Sequence, residues 1–180
     1  MDLMDLSLVF LVLFSGLAFF DGIVLHLWKY KLFQYTDTFY EHKLHTIRSV
    51  IFPIILIGLF LFETKGWLFV LVLAITLFDL IIQLFDMREE KGARIRFGGL
   101  STTEYILHVT LTSLHTSMLL LYLIAKPNGS FAFNTSEITL ANGIQFLVIM
   151  NLLPGAILVA LLHLALCHPY FRKVELVSTK

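Results

Sequence analysis

Two stretches of the chain place a glutamate four residues before a histidine, each near the start of a long apolar segment. They are Glu41 with His45, and Glu104 with His108. Four residues along an α-helix turn the side chain by only about 40°, so each pair shares one helix face. His115 lies within about 20° of Glu104 in the same helix. Carboxylates and imidazoles on a common face are ligands that iron, manganese and zinc accept in proteins.

Other acidic and imidazole side chains fall within the apolar segments. Asp21, His26 and Asp79 lie in segments that are otherwise almost entirely apolar. An ionisable side chain inside a membrane costs about 2.5–3.5 kcal/mol on insertion scales, so such residues are functional candidates. Asp21 and His26 are about 140° apart around an α-helix, and we expect them to flank a common centre rather than both to point at it.

A second group of ionisable residues is expected only to mark helix ends. Their side chains can extend from the end of a span into the interfacial region, where water solvates them. These residues are His42, Asp86, Glu89, Glu90 and His168.

The composition indicates a lipid environment. Of the 180 residues, 58% are hydrophobic and 14% are charged, whereas soluble domains average about half and about a quarter. The formal net charge of zero gives no electrostatic case for a nucleic-acid partner. The single cysteine, Cys167, excludes an internal disulfide and cysteine-rich metal sites. The chain is therefore predicted to be an integral membrane protein, with the lipid bilayer as its first partner.

Hydropathy predicts an all-α fold with five transmembrane helices in one domain, residues 1–180. A spanning helix needs about 20 mainly apolar residues, and strands would leave backbone groups unsatisfied in lipid. The predicted spans run from about 6 to 30, 44 to 62, 67 to 87, 103 to 125 and 140 to 167.

The basic residues predict the orientation in the membrane. They concentrate around the first and third loops and in the tail: Lys29, Lys31, Lys43, Arg48, Arg88, Lys91, Arg94, Arg96, Arg172 and Lys173. The positive-inside rule therefore places the N-terminus outside and the C-terminus in the cytoplasm, which agrees with an odd number of spans. The acidic N-terminus lacks a cleavage signature, so the first span is expected to be retained. The candidate site then faces the cytoplasm.

Two segments carry a family resemblance. "FFDGIVLHLWKY", residues 19 to 30, resembles the first helix of small uncharacterised bacterial multipass membrane proteins with an Asp-Gly-x-x-x-His signature. "EHKLHTIRSV", residues 41 to 50, resembles the start of their second helix. The resemblance implies a shared site with the residues Asp21, His26, Glu41, His42 and His45, and it is the basis for expecting the bacterial inner membrane. It implies no reaction.

These patterns together predict a metal centre. The predicted ligands are Asp21, His26, Glu41, His45, Glu104 and His108. Asp79 and His115 are predicted to be catalytic residues that manage protons. We expect two iron ions, because this set is larger than one tetrahedral zinc needs. The hypothesised activity is oxidation or hydroxylation of a lipophilic substrate that enters from the bilayer, with electrons supplied by a separate donor.

Three alternatives use the same residues. A zinc ion could hydrolyse a lipid amide or ester with a metal-bound water. The carboxylate–histidine pairs could instead lock a non-enzymatic scaffold. A b-type haem could lie between His26 and His108, or between His45 and His163. The oligomeric state is left open by the sequence.

Overall fold

The computed structural model describes residues 2–133 and 136–173, and five helices in this part of the chain are long and apolar enough to cross a membrane. The helices are α1 (Leu3–Phe19), α2 (Phe39–Ile55), α3 (Trp67–Ala93), α4 (Thr102–Ala125) and α5 (Gly143–Leu166). Two of them continue as π-helices, α1 into Phe20–Lys29 and α2 into Leu56–Leu61. The prediction of a helical fold with five apolar spans is confirmed.

A small sheet closes one end of the bundle. Strand β1 (Phe62–Thr64) follows the second span and pairs antiparallel with β2 (Ile138–Leu140), with Glu63 opposite Thr139. We call this the strand end. The charged end is opposite, and it comprises the π-helix Phe20–Lys29, the first turns of α2 and α4, and the last turns of α3 and α5.

Four span boundaries differ by three or more residues from those predicted, and the first is the start of α1 at Leu3 rather than at about 6. Helix α2 begins at Phe39 rather than at about 44, and α3 continues to Ala93 rather than ending at about 87. Hydropathy made both spans too short at the charged end, because Glu41 and Glu90 are polar and yet lie buried within the bundle. Helix α5 begins at Gly143 rather than at about 140, because the preceding residues form β2.

The half of the bundle nearer the strand end has an apolar core. Its buried residues come from all five spans and include Leu8, Leu11, Ile55, Leu56, Leu59, Phe60, Phe69, Met118, Tyr122 and Ile149. The carbonyls of the second π-helix are satisfied here, since the Tyr122 hydroxyl donates to the Leu59 carbonyl at 2.5 Å and Gln145 donates to the Phe60 carbonyl at 2.7 Å. Backbone groups freed by irregular helices in a membrane need such partners.

The outer surface of the bundle is also apolar. Large side chains such as Leu71, Leu77 and Phe78 of α3 are exposed. Contiguous exposed apolar surface of this kind is unfavourable in water and is expected against lipid. Helix α1 packs on α4, and α2 packs on both α3 and α5. This arrangement encloses the charged end between the first four helices and covers one side of it with α5.

Candidate metal centre

The π-helix in the first span brings Asp21 and His26 to the same face. Hydrogen bonds from residue i to i+5 place residues five apart above one another. Asp21 Oδ1 lies 3.5 Å from His26 Nε2, and both side chains are buried. The prediction that these residues lie about 140° apart is wrong, because it assumed α-helical geometry. π-helical segments inside α-helices are rare, and they occur frequently at functional sites.

Five side chains from α2, α3 and the π-helix of the first span form two overlapping triads. Potential ligand atoms of Asp21, His26 and His45 all lie within 4.8 Å of one another, and so do those of Glu41, His45 and Asp86. His45 Nε2 is 3.0 Å from Asp86 Oδ2, and the His26 and His45 rings are 3.8 Å apart between centroids. We call these five residues the triad cluster. Two imidazoles and one carboxylate are the ligand set of many non-haem iron sites.

Arg94 lies beside the triad cluster with its side chain completely buried. Its Nε donates to Glu104 Oε1 at 2.5 Å, and its Nη1 donates to Glu41 Oε2 at 2.8 Å. The Tyr30 hydroxyl donates to Glu104 Oε2 at 2.8 Å. We call Arg94, Glu41, Glu104 and Tyr30 the guanidinium clamp. The sequence analysis counted Arg94 among the basic residues around the third loop and did not predict that its side chain is buried.

The local fold after α3 turns Arg94 inward. The Gly99 amide donates to the Arg94 carbonyl at 2.8 Å, which closes a turn that needs positive φ at Gly98 (92°) and Gly99 (98°). Glycine adopts such angles without steric cost. Ser101 then caps α4 by accepting from the Glu104 amide at 3.2 Å, so Glu104 lies in the first turn of that helix.

The clamp keeps Arg94 charged. Burial favours loss of its proton, but the neighbouring Glu41 and Glu104 carboxylates outweigh this effect and raise the pKa of Arg94 above its usual value. A buried guanidinium with two carboxylate partners stabilises the helices that carry them only while all three charges are present.

His108 has both ring nitrogens next to carboxylates. Its Nε2 lies 3.0 Å from Asp21 Oδ1, and its Nδ1 contacts Glu90 Oε1. Four of the six predicted ligands therefore belong to the triad cluster. Glu104 and His108 lie at its border, with their polar atoms already engaged by other side chains. Their role as ligands stays a prediction.

The two Glu-x-x-x-His stretches make equivalent contacts. The glutamate of each stretch contacts Arg94. His45 of α2 pairs with Asp86 of α3, and His108 of α4 pairs with Asp21 of the first span. Each histidine thus pairs with an aspartate of the other helical hairpin. The repeat in the sequence therefore corresponds to a repeat in the contacts, with each hairpin supplying one histidine and one aspartate to the other.

Asp79 and His115 lie deeper and connect to the triad cluster through Arg48. Asp79 Oδ1 is 3.6 Å from Arg48 Nε, and Arg48 Nη1 is 3.2 Å from Asp86 Oδ2. His115 Nε2 is 3.9 Å from Asp79 Oδ2, and its Nδ1 is 3.1 Å from Gln83 Oε1. Their predicted catalytic role is not tested by these distances. The contacts do form a polar chain that begins at the triad cluster.

Three residues that were expected to mark helix ends are buried instead. Asp86 and Glu90 lie in the polar cluster of the charged end, and His42 stacks on His163 of α5 with 5.4 Å between ring centroids. That interpretation is wrong for these three, whereas His168 is exposed as expected. The four-residue spacing from Asp86 to Glu90 could have indicated that both are buried, since it puts the two side chains on one helix face.

The buried charges of the charged end do not balance. Among the residues described, the buried carboxyl groups number six: Asp21, Glu41, Asp79, Asp86, Glu90 and Glu104. Two guanidinium groups, those of Arg48 and Arg94, contact them. Four negative charges are left, and uncompensated buried charge is strongly unfavourable. Protons on carboxyl or imidazole groups, or divalent cations, can supply the compensation.

Several atoms of the triad cluster also lack hydrogen-bond partners. Within residues 2–133 and 136–173 this holds for the buried atoms Glu41 Oε1, Asp86 Oδ1 and His26 Nδ1. A cavity of about 30 Å³ adjoins them, lined by Asp21 and His45 among others. A cavity needs roughly 10–15 Å³ to hold one water molecule, so this one has room for a small ion or a water.

No protein-family model matches the chain, and neither a curated protein nor a solved structure shows significant similarity to it. The fold and the site together describe a multipass helical membrane protein with a buried histidine–carboxylate cluster at one end. The resemblance to bacterial proteins with an Asp-Gly-x-x-x-His first helix stays a prediction.

Proposed function

We propose that the protein is an iron-dependent oxidoreductase of the bacterial inner membrane that hydroxylates or oxidises a lipophilic substrate. The observation that carries the proposal is the pair of overlapping triads, which share His45 and adjoin a small cavity. Three carboxylates with two imidazoles are oxygen-rich, which favours iron over zinc. If all six buried carboxyl groups are ionised and the imidazoles are neutral, two divalent ions would balance the remaining charge. The positive-inside rule puts the charged end at the cytoplasmic face.

The iron would supply the ability to activate oxygen. Hydroxylation transfers one atom of O₂ into a C–H bond and releases the other as water, and it consumes two electrons and two protons. A separate reductant supplies the electrons. In the protein, His108 would orient Asp21, and Arg48 would hold Asp86 and Asp79 in place beside the site. Asp79 and His115 are the residues that we propose exchange protons near it.

A non-enzymatic scaffold is the second candidate function. The guanidinium clamp favours it, because Arg94 contacts Glu41 of α2 and Glu104 of α4, and its Nη2 lies 3.1 Å from His26 Nε2 of the first span. Such contacts hold three helices together without a metal. The two candidates differ in whether the triad cluster binds an ion.

Product analysis tests the proposed function. The purified full-length protein is loaded with Fe(II) under nitrogen, then given ¹⁸O₂, a chemical reductant and a lipid extract of the host membrane. We expect products that gain one ¹⁸O atom with wild type and with His168→Ala, an exposed control, but not with His45→Ala.

Other outcomes would replace the proposal. Cleaved lipids that carry oxygen from water, without any need for O₂, would favour the zinc-dependent hydrolase. A protein that stays folded, binds no metal and yields no product would contradict both enzymes and favour the scaffold.

A further inference from the structure

A second, larger cavity lies beside the triad cluster, between α1, α2 and α5. Its volume is about 440 Å³, within the range of about 300–1,000 Å³ that small-molecule sites occupy. Side chains of α1 and α5 form most of its wall, and they include Val12, Gly16, Ala18, Leu152, Gly155, Ala156 and Val159. Asp21, His45 and Arg48 line both this cavity and the smaller one. The larger cavity therefore leads to the proposed metal centre.

Exposed glycines on the two facing helices line this cavity, and a larger side chain at either position would enter its open space. A Cβ atom added at Gly16 of α1 or at Gly155 of α5 would meet no other atom within 4 Å. Gly58 provides the contrast, because a Cβ there would lie 2.7 Å from Val72 Cγ2 in the close contact of α2 with α3. At Gly58 the missing side chain permits helix packing. At Gly16 and Gly155 the missing side chain leaves open space beside the helix.

The polar lining selects against an anionic ligand. Asp21 and Asp79 are the acidic residues of the wall, and Arg48 is already paired with Asp79 and Asp86. A carboxylate or phosphate would therefore meet an excess of negative charge in a poorly solvated place. An aliphatic chain with an uncharged end would not.

His163 is the group that can bind the uncharged end. It lines the cavity and is only 1% exposed, and in the described part of the chain its Nδ1 has no hydrogen-bond partner. A buried polar atom of this kind is usually paired. A hydroxyl or carbonyl oxygen in the cavity would supply the missing partner.

We propose that this cavity is the substrate site and that it binds a single aliphatic chain with an uncharged polar end, of the long-chain alcohol class. The chain lies between α1 and α5, and the polar end bonds to His163 next to the triad cluster. The identity of the ligand as substrate rests on the proposed function, whereas its binding does not.

Photo-crosslinking of the full-length protein in lipid nanodiscs tests the binding. The probe is hexadecanol that carries a diazirine near the end of its chain, and we expect labelled peptides from residues 12–22 and 151–163. Gly155→Leu and Gly16→Leu fill the cavity, and each is expected to reduce labelling about tenfold or more, as lost fit in apolar pockets does. Gly92→Leu is the matched control, because Gly92 is exposed on α3 with no atom within 4 Å of an added Cβ.

Competition tests the selectivity of the site. Unlabelled hexadecanol should displace the probe, and hexadecanoate should displace it far less. Equal competition by hexadecanol and hexadecanoate would contradict the proposal that the polar end of the ligand is uncharged. Labelling that persists in Gly16→Leu and Gly155→Leu, or that spreads over the lipid-facing side of α3, would contradict the proposal that the ligand binds in this cavity. A change in oligomeric state in Gly155→Leu would assign the cavity to a second copy of the chain and would also overturn it.

The metal content of the same samples separates the two proposals. Cavity-specific labelling of a protein that binds no iron would keep the lipid site and contradict the oxidoreductase. Iron-loaded protein whose labelling is the same in Gly155→Leu and Gly92→Leu would keep the metal centre and contradict the cavity.

Discussion

The guanidinium clamp and the triad cluster are neighbours built from similar residues, yet they differ in how their charges are satisfied. In the clamp, both oxygens of Glu104 accept hydrogen bonds, one from Arg94 and one from Tyr30. In the triad cluster, Asp86 Oδ1 has no such partner among the described residues. Glu41 belongs to both, because its Oε2 faces Arg94 and its Oε1 has no hydrogen-bond partner in that part of the chain.

The difference separates two regions of one buried polar cluster: one in which the charged groups are paired, and one in which several polar atoms of the described residues have no partner. Carboxylates that already contact a cation of the chain hold helices together. Carboxylate oxygens that have no partner, such as Asp86 Oδ1 and Glu41 Oε1 in the described residues, are where an added cation would stabilise most. Residue type alone does not separate these cases, since glutamate occurs in both. The substitutions below test whether the two regions behave differently.

Loss of Arg94 is expected to have the largest effect. Arg94→Met keeps the volume of the side chain but leaves Glu41 and Glu104 buried without their cation, which should lower the free energy of unfolding by about 3–5 kcal/mol. Denaturant unfolding in detergent measures it. Arg96→Met is the control, because Arg96 makes a surface contact with Asp37, and such contacts contribute little. Equal effects of the two substitutions would contradict a structural role for the clamp.

Loss of His45 should abolish metal binding with a smaller effect on stability. His45 belongs to both triads, so His45→Ala is expected to weaken iron affinity by more than about 100-fold, beyond what loss of a ligand's outer partner costs. Elemental analysis after dialysis measures it. Iron retained at the wild-type level would exclude the triad cluster as the metal site.

Loss of His108 should weaken the metal site indirectly. His108 contacts Asp21 and Glu90, and removal of a group that orients a ligand typically costs about 10–100-fold in affinity. His108→Ala is expected to show this loss of affinity, whereas His108→Asn keeps one hydrogen-bond donor and should recover part of it. An iron titration of both variants would measure the difference. If His108→Ala instead removes iron as completely as His45→Ala, then His108 is itself a ligand, as the sequence analysis predicted.

The matched pair Glu104→Gln and Asp86→Asn compares the two regions directly. Each substitution replaces one carboxylate by an uncharged amide of nearly the same shape. Glu104→Gln should reduce stability by about 1–3 kcal/mol through weakened hydrogen bonds in the clamp and should leave the iron content unchanged. Asp86→Asn should lower the iron content. The reverse pattern would exchange the functions assigned to the two regions.

The exposed ion pair at the strand end should matter least. Lys65 Nζ lies 2.7 Å from Glu137 Oε2, and this hydrogen bond raises the pKa of Lys65 and lowers the pKa of Glu137. Any stabilisation is therefore present above the unfolded-state pKa of Glu137 and is lost as the pH falls through its folded-state pKa. Glu137→Gln should leave unfolding at neutral pH unchanged within error, because exposed pairs contribute little. A large loss would show that the sheet is a major source of stability.

Hydropathy and helical phase predicted the spans and the convergence of Glu41 with His45. They did not predict the π-helix, because no local pattern in "FFDGIVLHLWKY" distinguishes it from an α-helix, and so Asp21 and His26 were placed apart. Nor did they predict the burial of Arg94. An arginine in a basic loop fits the positive-inside rule, and its inward direction depends on a turn at Gly98 and Gly99 and on carboxylates from distant helices.

The iron content of the purified wild-type protein is the most direct test of the central claim, that the triad cluster binds metal. We expect about two iron ions per chain, as in carboxylate-rich bundle sites, and a lower unfolding temperature after a chelator removes them. Wild-type protein that retains no more metal than His45→Ala, with an unfolding temperature that the chelator does not change, would contradict the claim.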